Sequence, residues 1–284
     1  MADKTTVKRL DKVALEIKYN LLDLCNQTLI HIGGDMSIAD MMTVIWQYAM
    51  KYDVKDPAWK DRDRFVLSKG HAAAVTSFSQ AAIGCYKPEE IRKEYATDFG
   101  RFGMHSCNLI NPYVEVSTGS LGQGFPIAGG IAAALRRKKI NSRVYVGVGD
   151  GEMAEGSMWE AAMSARHYKL GNLIAFVDRN FLSFDGKTEE FMALEPFADK
   201  WRAFGWNVIE VDGHDMEQLV DAVDSLPPPE SDTPTVIIGK TVKGHGISFM
   251  ENSAGWHAGM INDELLAQAK NELKQAFLQK WGGE

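Results

Sequence analysis

The sequence predicts an α/β protein, a mostly parallel sheet with helices on both faces. Two observations carry this prediction. Short Val/Ile/Leu runs recur without polar alternation, as strands buried on both faces require, and segments with helical spacing alternate with them. A third points to function: one of the most apolar runs, VYVGVGDGEMAEG over 144–156, ends by presenting one carboxylate between two glycines.

Residues 7–28 place Val13, Ile17, Leu21 and Leu24 at helical spacing. SIADMMTVIWQY, 37–48, reads as a second helix with Ser37 as N-cap and Asp40 three residues on. RFVLSKGHAAAV is a strand over 65–67 that breaks at Ser-Lys-Gly and enters a helix of small residues. STGSLGQGFPIAGGIAAALRRKK is a Gly-rich loop feeding a helix with a basic end, which suits the helix dipole. Strands follow at 144–148, 173–177, 208–211 and 235–238, with helices at 157–166 and 216–225. LPPPESDTP is a surface loop, because the strand-helix rhythm continues across it. One domain over 1–284 is expected, closed by an amphipathic helix over 263–281.

The chain has 284 residues, 45% hydrophobic and 24% charged, the balance of an ordinary globular protein. Its net charge of -7 argues against nucleic-acid or anionic-membrane partners, which need a basic face. An anionic small molecule remains compatible if its charge is met locally, for instance by a metal. Cys25, Cys85 and Cys107 are odd in number and share no metal-type spacing, so reduced thiols in the cytoplasm are expected. The charged start MADKTTVKRLDK has no signal-peptide core, and no run of 18 apolar residues occurs.

In open α/β sheets ligands bind beyond the carboxyl ends of the strands. Asp150 sits at such an end, between Gly149 and Gly151, and the next buried strand, NLIAFVDRN, ends at Asn180. On adjacent parallel strands the two side chains would stand together. A carboxylate plus an amide oxygen is a typical protein share of a Mg²⁺ site, completed by phosphate oxygens, a backbone carbonyl and water. Alone, Gly-Asp-Gly after a strand is a turn. A dinucleotide-binding oxidoreductase is a competing reading of GVGDGE, but the full G-x-G-x-x-G pattern is missing.

Gly-Asp-Gly followed about thirty residues later by Asn is similar to the thiamine diphosphate signature. SKGHAA (68–73), VEVSTGSLGQG (114–124), the stretch from Gly149 to Asn180, and KTVKGHGISFMENSAGWHAG (240–259) together resemble transketolase, in that family's order and over nearly the whole chain. The resemblance implies thiamine diphosphate as cofactor with Mg²⁺, or Ca²⁺ or Mn²⁺, held by Asp150, Asn180 and Leu182. It implies cofactor contacts from His71, Gly119, Ser120, Leu121, Gly151, Glu155, Asn180, Lys243 and His257. It also implies catalytic roles near the reacting carbon for His31, His105 and His257. Arg179 stands where the family has Asn or Asp, Ile30 and Ile32 flank His31 in place of Gly and Pro, and Ser106 follows His105 in place of Pro.

Each position also has a structural role open to it. His71 could hydrogen-bond a helix start, the STGSLGQG loop could be a plain turn, and Glu155 could serve as a helix-start charge instead of an interface carboxylate. His167 reads as structural and His214 as a turn residue. His245 is a candidate lining residue, with Lys243 the better match to a diphosphate contact.

In the family, a two-carbon ketol unit passes from a ketose to an aldose. Cofactor activation there needs a glutamate on a second, pyrimidine-binding domain. The sequence ends one helix after His257, so the resemblance implies the N-terminal subunit of a split enzyme. Such a chain would be inactive alone and active with a C-terminal partner, in a two-plus-two heterotetramer acting on sugars, with sugar phosphates the expected class. A non-catalytic thiamine diphosphate-binding regulatory subunit is the other reading of the same motifs.

Overall fold

The computed structural model describes residues 2–282. Five strands form one parallel sheet: β1 (Arg64–Leu67), β2 (Val144–Gly149), β3 (Leu173–Arg179), β4 (Asn207–Asp212) and β5 (Thr235–Lys240), in the spatial order β1-β2-β3-β5-β4. The uninterrupted apolar runs have a simple cause. Phe65, Leu67, Tyr145, Ile174, Phe176 and Ile237 point into one core, whereas Val66, Val144, Val146, Val148, Ala175, Val177 and Val236 point into the other. A strand alternates faces every residue, so burial on both sides demands apolar side chains at every position.

The first core is covered by α1 (Lys4–Gln27), α2 (Ile32–Val44), α3 (Ala73–Ala82), α4 (Pro88–Glu94) and, later in the chain, α9 (Met216–Asp224) and α10 (Asp263–Trp281). The second is covered by α5 (Gly124–Arg137), α6 (Gly156–His167) and α8 (Phe197–Ala203), the last following the single turn α7 (Thr188–Phe191). Side-chain caps start several of these helices. Asp3 accepts from the amides of Thr5 and Thr6, Asp215 from Glu217 and Gln218, and Asn262 from Leu265. The basic end of α5 does more than meet the dipole: Arg136 donates to the carbonyl of Ser231 at 2.6 Å and holds the proline-rich loop against the body. No helix among the described residues is long and apolar enough to cross a membrane.

The second helix departs from the sequence expectation. It begins at Ile32, so Ser37 lies inside it and caps nothing, and it passes into a π-turn over Ile45–Ala49. Every residue of α2 is buried. A helix enclosed on all sides has no polar face to mark its start, and polar side chains inside it serve tertiary contacts. Ser37 donates to Asp178 at 2.5 Å, and Asp40 pairs with Lys18 at 2.7 Å in place of the expected capping box. The early start also explains one glycine. A Cβ on Gly33 would lie 2.4 Å from the Trp256 carbonyl oxygen, too close for any side chain.

Candidate active site

Gly149 of β2 pairs with Asp178 of β3, so the residues just beyond, Asp150 and Asn180, emerge side by side at the carboxyl edge of the sheet. Both are almost fully buried. Asp150 Oδ1 accepts from the Gly151 amide at 2.8 Å, and Oδ2 accepts from the Phe181 amide at 2.6 Å and from Arg179 Nη1 at 3.1 Å. A carboxylate offers about four lone-pair positions, which leaves one. Asn180 Oδ1 accepts once, from the Leu182 amide at 3.0 Å, and also keeps one. The bridge between Leu182 and Lys187 is carried by Ser183 to Gly186 and Thr188 to Phe181, which leaves the Leu182 carbonyl outside the ladder. Two side-chain oxygens with spare capacity and a neighbouring carbonyl fit a hard divalent cation.

Around this edge lies a cavity of about 530 Å³. Four imidazoles gather in its wall. The His31 ring centroid lies 5.3 Å from that of His71, 5.7 Å from His105 and 5.4 Å from His257, while His71 and His257 are 5.3 Å apart. They come from four separate loops. Close backbone packing makes this possible: a Cβ on Gly70 would fall 2.6 Å from the Gly119 amide nitrogen, so the SKGH loop presses directly on the STGS loop. A buried carboxylate fixes the same junction. Glu152 accepts from Ser68 Oγ at 2.6 Å, from the Gly122 amide at 2.9 Å and from the Gly149 amide at 3.3 Å.

The electrostatics of the cavity favour an anion. Lys243 is 2% exposed, donates to the Ser183 carbonyl and to His257 Nδ1, both at 3.1 Å, and makes no ion pair among the described residues. Burial, followed by the neighbouring Lys69, pushes its ammonium down to about 8. Burial, then Lys243 and His31, brings His257 down to about 4, so that ring is neutral at pH 7 with Nδ1 accepting from Lys243. Burial with nearby positive charge also lowers His31 and His71. Burial and the neighbouring Asp178 raise Asp150 to about 6, against the pull of Arg179. A negatively charged ligand would relieve the first set of shifts and a cation the last.

Of the residues singled out in the sequence, His31, His71, His105, Gly119, Leu121, Asp150, Gly151, Glu155, Asn180, Leu182, Lys243 and His257 all line this cavity. Ser120 does not; it is exposed on the loop and lies outside the lining. Glu155 occupies the N-cap position of α6 but makes no capping bond with its side chain. His167 is exposed at the end of α6, against Tyr168.

His214 and His245 differ from expectation. His245 lies behind the cavity wall, its ring stacked on His214 at 3.4 Å. His214 is more than a turn residue: Nδ1 bonds Asp40 at 2.8 Å and Nε2 accepts from the Val242 amide at 2.9 Å. The Lys18–Asp40–His214 chain therefore braces the turn that carries Lys243. The sequence reading also missed Lys69, Asp178 and Glu152, whose partners come from loops far apart in the chain.

Residues 16–277 match the family described as transketolase, thiamine diphosphate binding domain. The chain belongs to the transketolase family. It is 39% identical over 249 residues to one subunit of the apulose-4-phosphate transketolase of Phocaeicola vulgatus, covering 86% of each chain. It is 38% identical to the 6-deoxy-6-sulfo-D-fructose transketolase subunit SqwG of a Clostridium species, covering 86% of this chain and 88% of that one. Among solved structures, transketolase from Leishmania mexicana superposes with a TM-score of 0.84 at 31% identity, covering 96% of this chain and 42% of that one. The chain thus spans less than half the length of that transketolase and most of the length of the two bacterial subunits. The fold and the thiamine diphosphate-binding character follow from the family.

Proposed function

We propose that this chain is the N-terminal, thiamine diphosphate- and magnesium-binding subunit of a two-chain transketolase. The observation that carries the reading is Lys243, a buried ammonium with no carboxylate partner among the described residues, facing the paired oxygens of Asp150 and Asn180 across one cavity. A cation on Asp150, Asn180 and the Leu182 carbonyl, with a diphosphate between it and Lys243, satisfies both sides. The sequence likeness to proteins named as subunits of transketolases supports the two-chain form.

When bound, thiamine diphosphate would supply a carbon that, once it has given up its proton, is the nucleophile for the ketose carbonyl. The chain's own residues then bind, orient and move protons. His71 and His257 stand with Lys243 where diphosphate oxygens would lie. His31, His105 and His257 surround the inner cavity, where an imidazole can both donate to an alkoxide and accept a proton. The glutamate that activates the cofactor in this family, and most contacts to the sugar's anionic tail, fall to a C-terminal partner subunit. We place the pair in the cytoplasm as a two-plus-two heterotetramer. The two named relatives act on different ketoses, so the donor is assigned only as a ketose with an anionic tail.

The test is turnover of ketose donor and aldose acceptor by the purified chain alone and after adding the partner subunit. Activity only in the mixture supports the reading. Full activity of the chain alone contradicts it.

A further inference from the structure

Arg179 occupies the position next to the cation ligand Asn180, and its side chain is 3% exposed. It makes four polar contacts in two directions. Nη1 reaches Asp150 Oδ2 at 3.1 Å and Thr188 Oγ1 at 2.7 Å, and Nη2 reaches Glu189 at 2.7 Å and Glu195 at 2.9 Å. Its guanidinium carbon also lies 4.0 Å from the centre of the Phe181 ring. One direction is the carboxylate at the sheet edge; the other is the segment 181–196. That segment forms one wall of the cavity through Leu182, Ser183, Phe184, Phe191 and Met192, of which Phe184 is 72% exposed.

Several of the polar contacts tying this wall to the body lie at the cavity, while its far end is held by Lys200 of α8, which donates to the Leu194 carbonyl at 2.6 Å. Besides Arg179, Asp150 accepts from the Phe181 amide and Lys243 donates to the Ser183 carbonyl. Glu189, in turn, accepts from the amides of Leu194 and Glu195, so the arginine reaches the far end of the segment through a carboxylate that organises it.

We propose that Arg179 is a positioning residue that keys the 181–196 wall to the Asp150 carboxylate. Its backbone belongs to the central strand β3, paired with Lys240 of β5, so the anchor itself is rigid. By occupying one position on Oδ2 it fixes the carboxylate plane and leaves a single lone pair for a cation. With Thr188, Glu189 and Glu195 it folds the wall against that same carboxylate before any ligand arrives. A simple charge at this site would do neither: a lysine has one compact head and cannot span four partners in a plane. The cation role of Asp150 rests on the function proposed above; the ordering of the wall does not.

The experiment compares Arg179→Met, Arg179→Lys and Glu195→Gln with wild type, using the intact chain. Amide hydrogen exchange of 181–196, read without cofactor, should quicken by on the order of tenfold to a hundredfold in both arginine variants, and less in E195Q, where only one charged contact is lost. Protection of β2 and β3 should stay as in wild type, which separates loosening of the wall from global unfolding. The Mg²⁺ concentration needed for half-maximal thiamine diphosphate binding should rise in both arginine variants. If Arg179 acts only as a charge, R179K behaves as wild type and R179M binds Mg²⁺ more tightly, since a nearby positive charge has gone; either result overturns the proposal. Unchanged exchange of 181–196 in R179M overturns it as well, even if the chain binds no thiamine diphosphate.

Discussion

Lys69 and Asp178 form a salt bridge of 2.6 Å with side chains 2% and 0% exposed, at the point where the first loop of the site meets the central strand. Asp178 also accepts from Ser37, Asn180 and Thr241. Burial alone would push its carboxyl up, yet Lys69 and the hydrogen bonds from Ser37 and Thr241 hold it below the usual range. The pair cancels its own charge, which leaves Lys243 as the ammonium that reaches the cavity without a carboxylate partner among the described residues.

Removing one member strands the other. Lys69→Met or Asp178→Asn is expected to cost about 3–5 kcal/mol, because breaking a buried pair leaves a charge without its partner. The double variant K69M/D178N should lose less than the sum of the two. Denaturant unfolding of the three variants measures this, and additive losses would show that the residues act independently.

Asp35 makes a pH-dependent contribution of definite sign. It is fully buried in α2, accepts from the Val75 amide, and burial raises it to about 7. Between about 4 and 7 the folded chain keeps a proton that the unfolded chain releases, so stability from this group falls as pH rises through that window. The lowered imidazoles act oppositely: His257, at about 4, withdraws stability as pH falls below about 6.5. Asp35→Asn should therefore gain on wild type by about 1–4 kcal/mol as pH goes from 4.5 to 7.5. Unfolding midpoints across this range test it, and a constant difference between the two proteins refutes it.

Gly70→Ala probes the junction of the two loops. The added methyl meets the Gly119 amide and the Thr118 carbonyl carbon at 2.6 Å, backbone that cannot turn aside as a side chain could. A loss of about 1–3 kcal/mol in stability is expected, together with weaker thiamine diphosphate binding, because Gly119 must shift. Thermal unfolding and ligand titration of G70A report the two effects separately.

Much of this arrangement is legible in the sequence, for physical reasons. Strands buried on both faces must be apolar throughout, so the central ones announce themselves, and glycines beside Asp150 mark the edge where ligands collect. The start of α2 is not legible, because a helix enclosed on every side carries no amphipathic signal and its Ser37 imitates a cap. The pairs Lys69–Asp178, Arg179–Asp150 and Asp40–His214 join side chains 109, 29 and 174 positions apart, and nothing local marks a partner that distant. His214 shows the consequence: VDGHD has the composition of a turn, and only the packed fold reveals that its ring braces the Lys243 turn.

The most direct test of the cation-and-ammonium site is calorimetric titration of the chain with thiamine diphosphate, with and without Mg²⁺, for wild type, Asp150→Ala and Lys243→Ala. Saturable binding that requires Mg²⁺, is abolished in D150A and is weakened at least about tenfold in K243A is the predicted result. Binding that ignores Mg²⁺, or that D150A retains at wild-type strength, would contradict it.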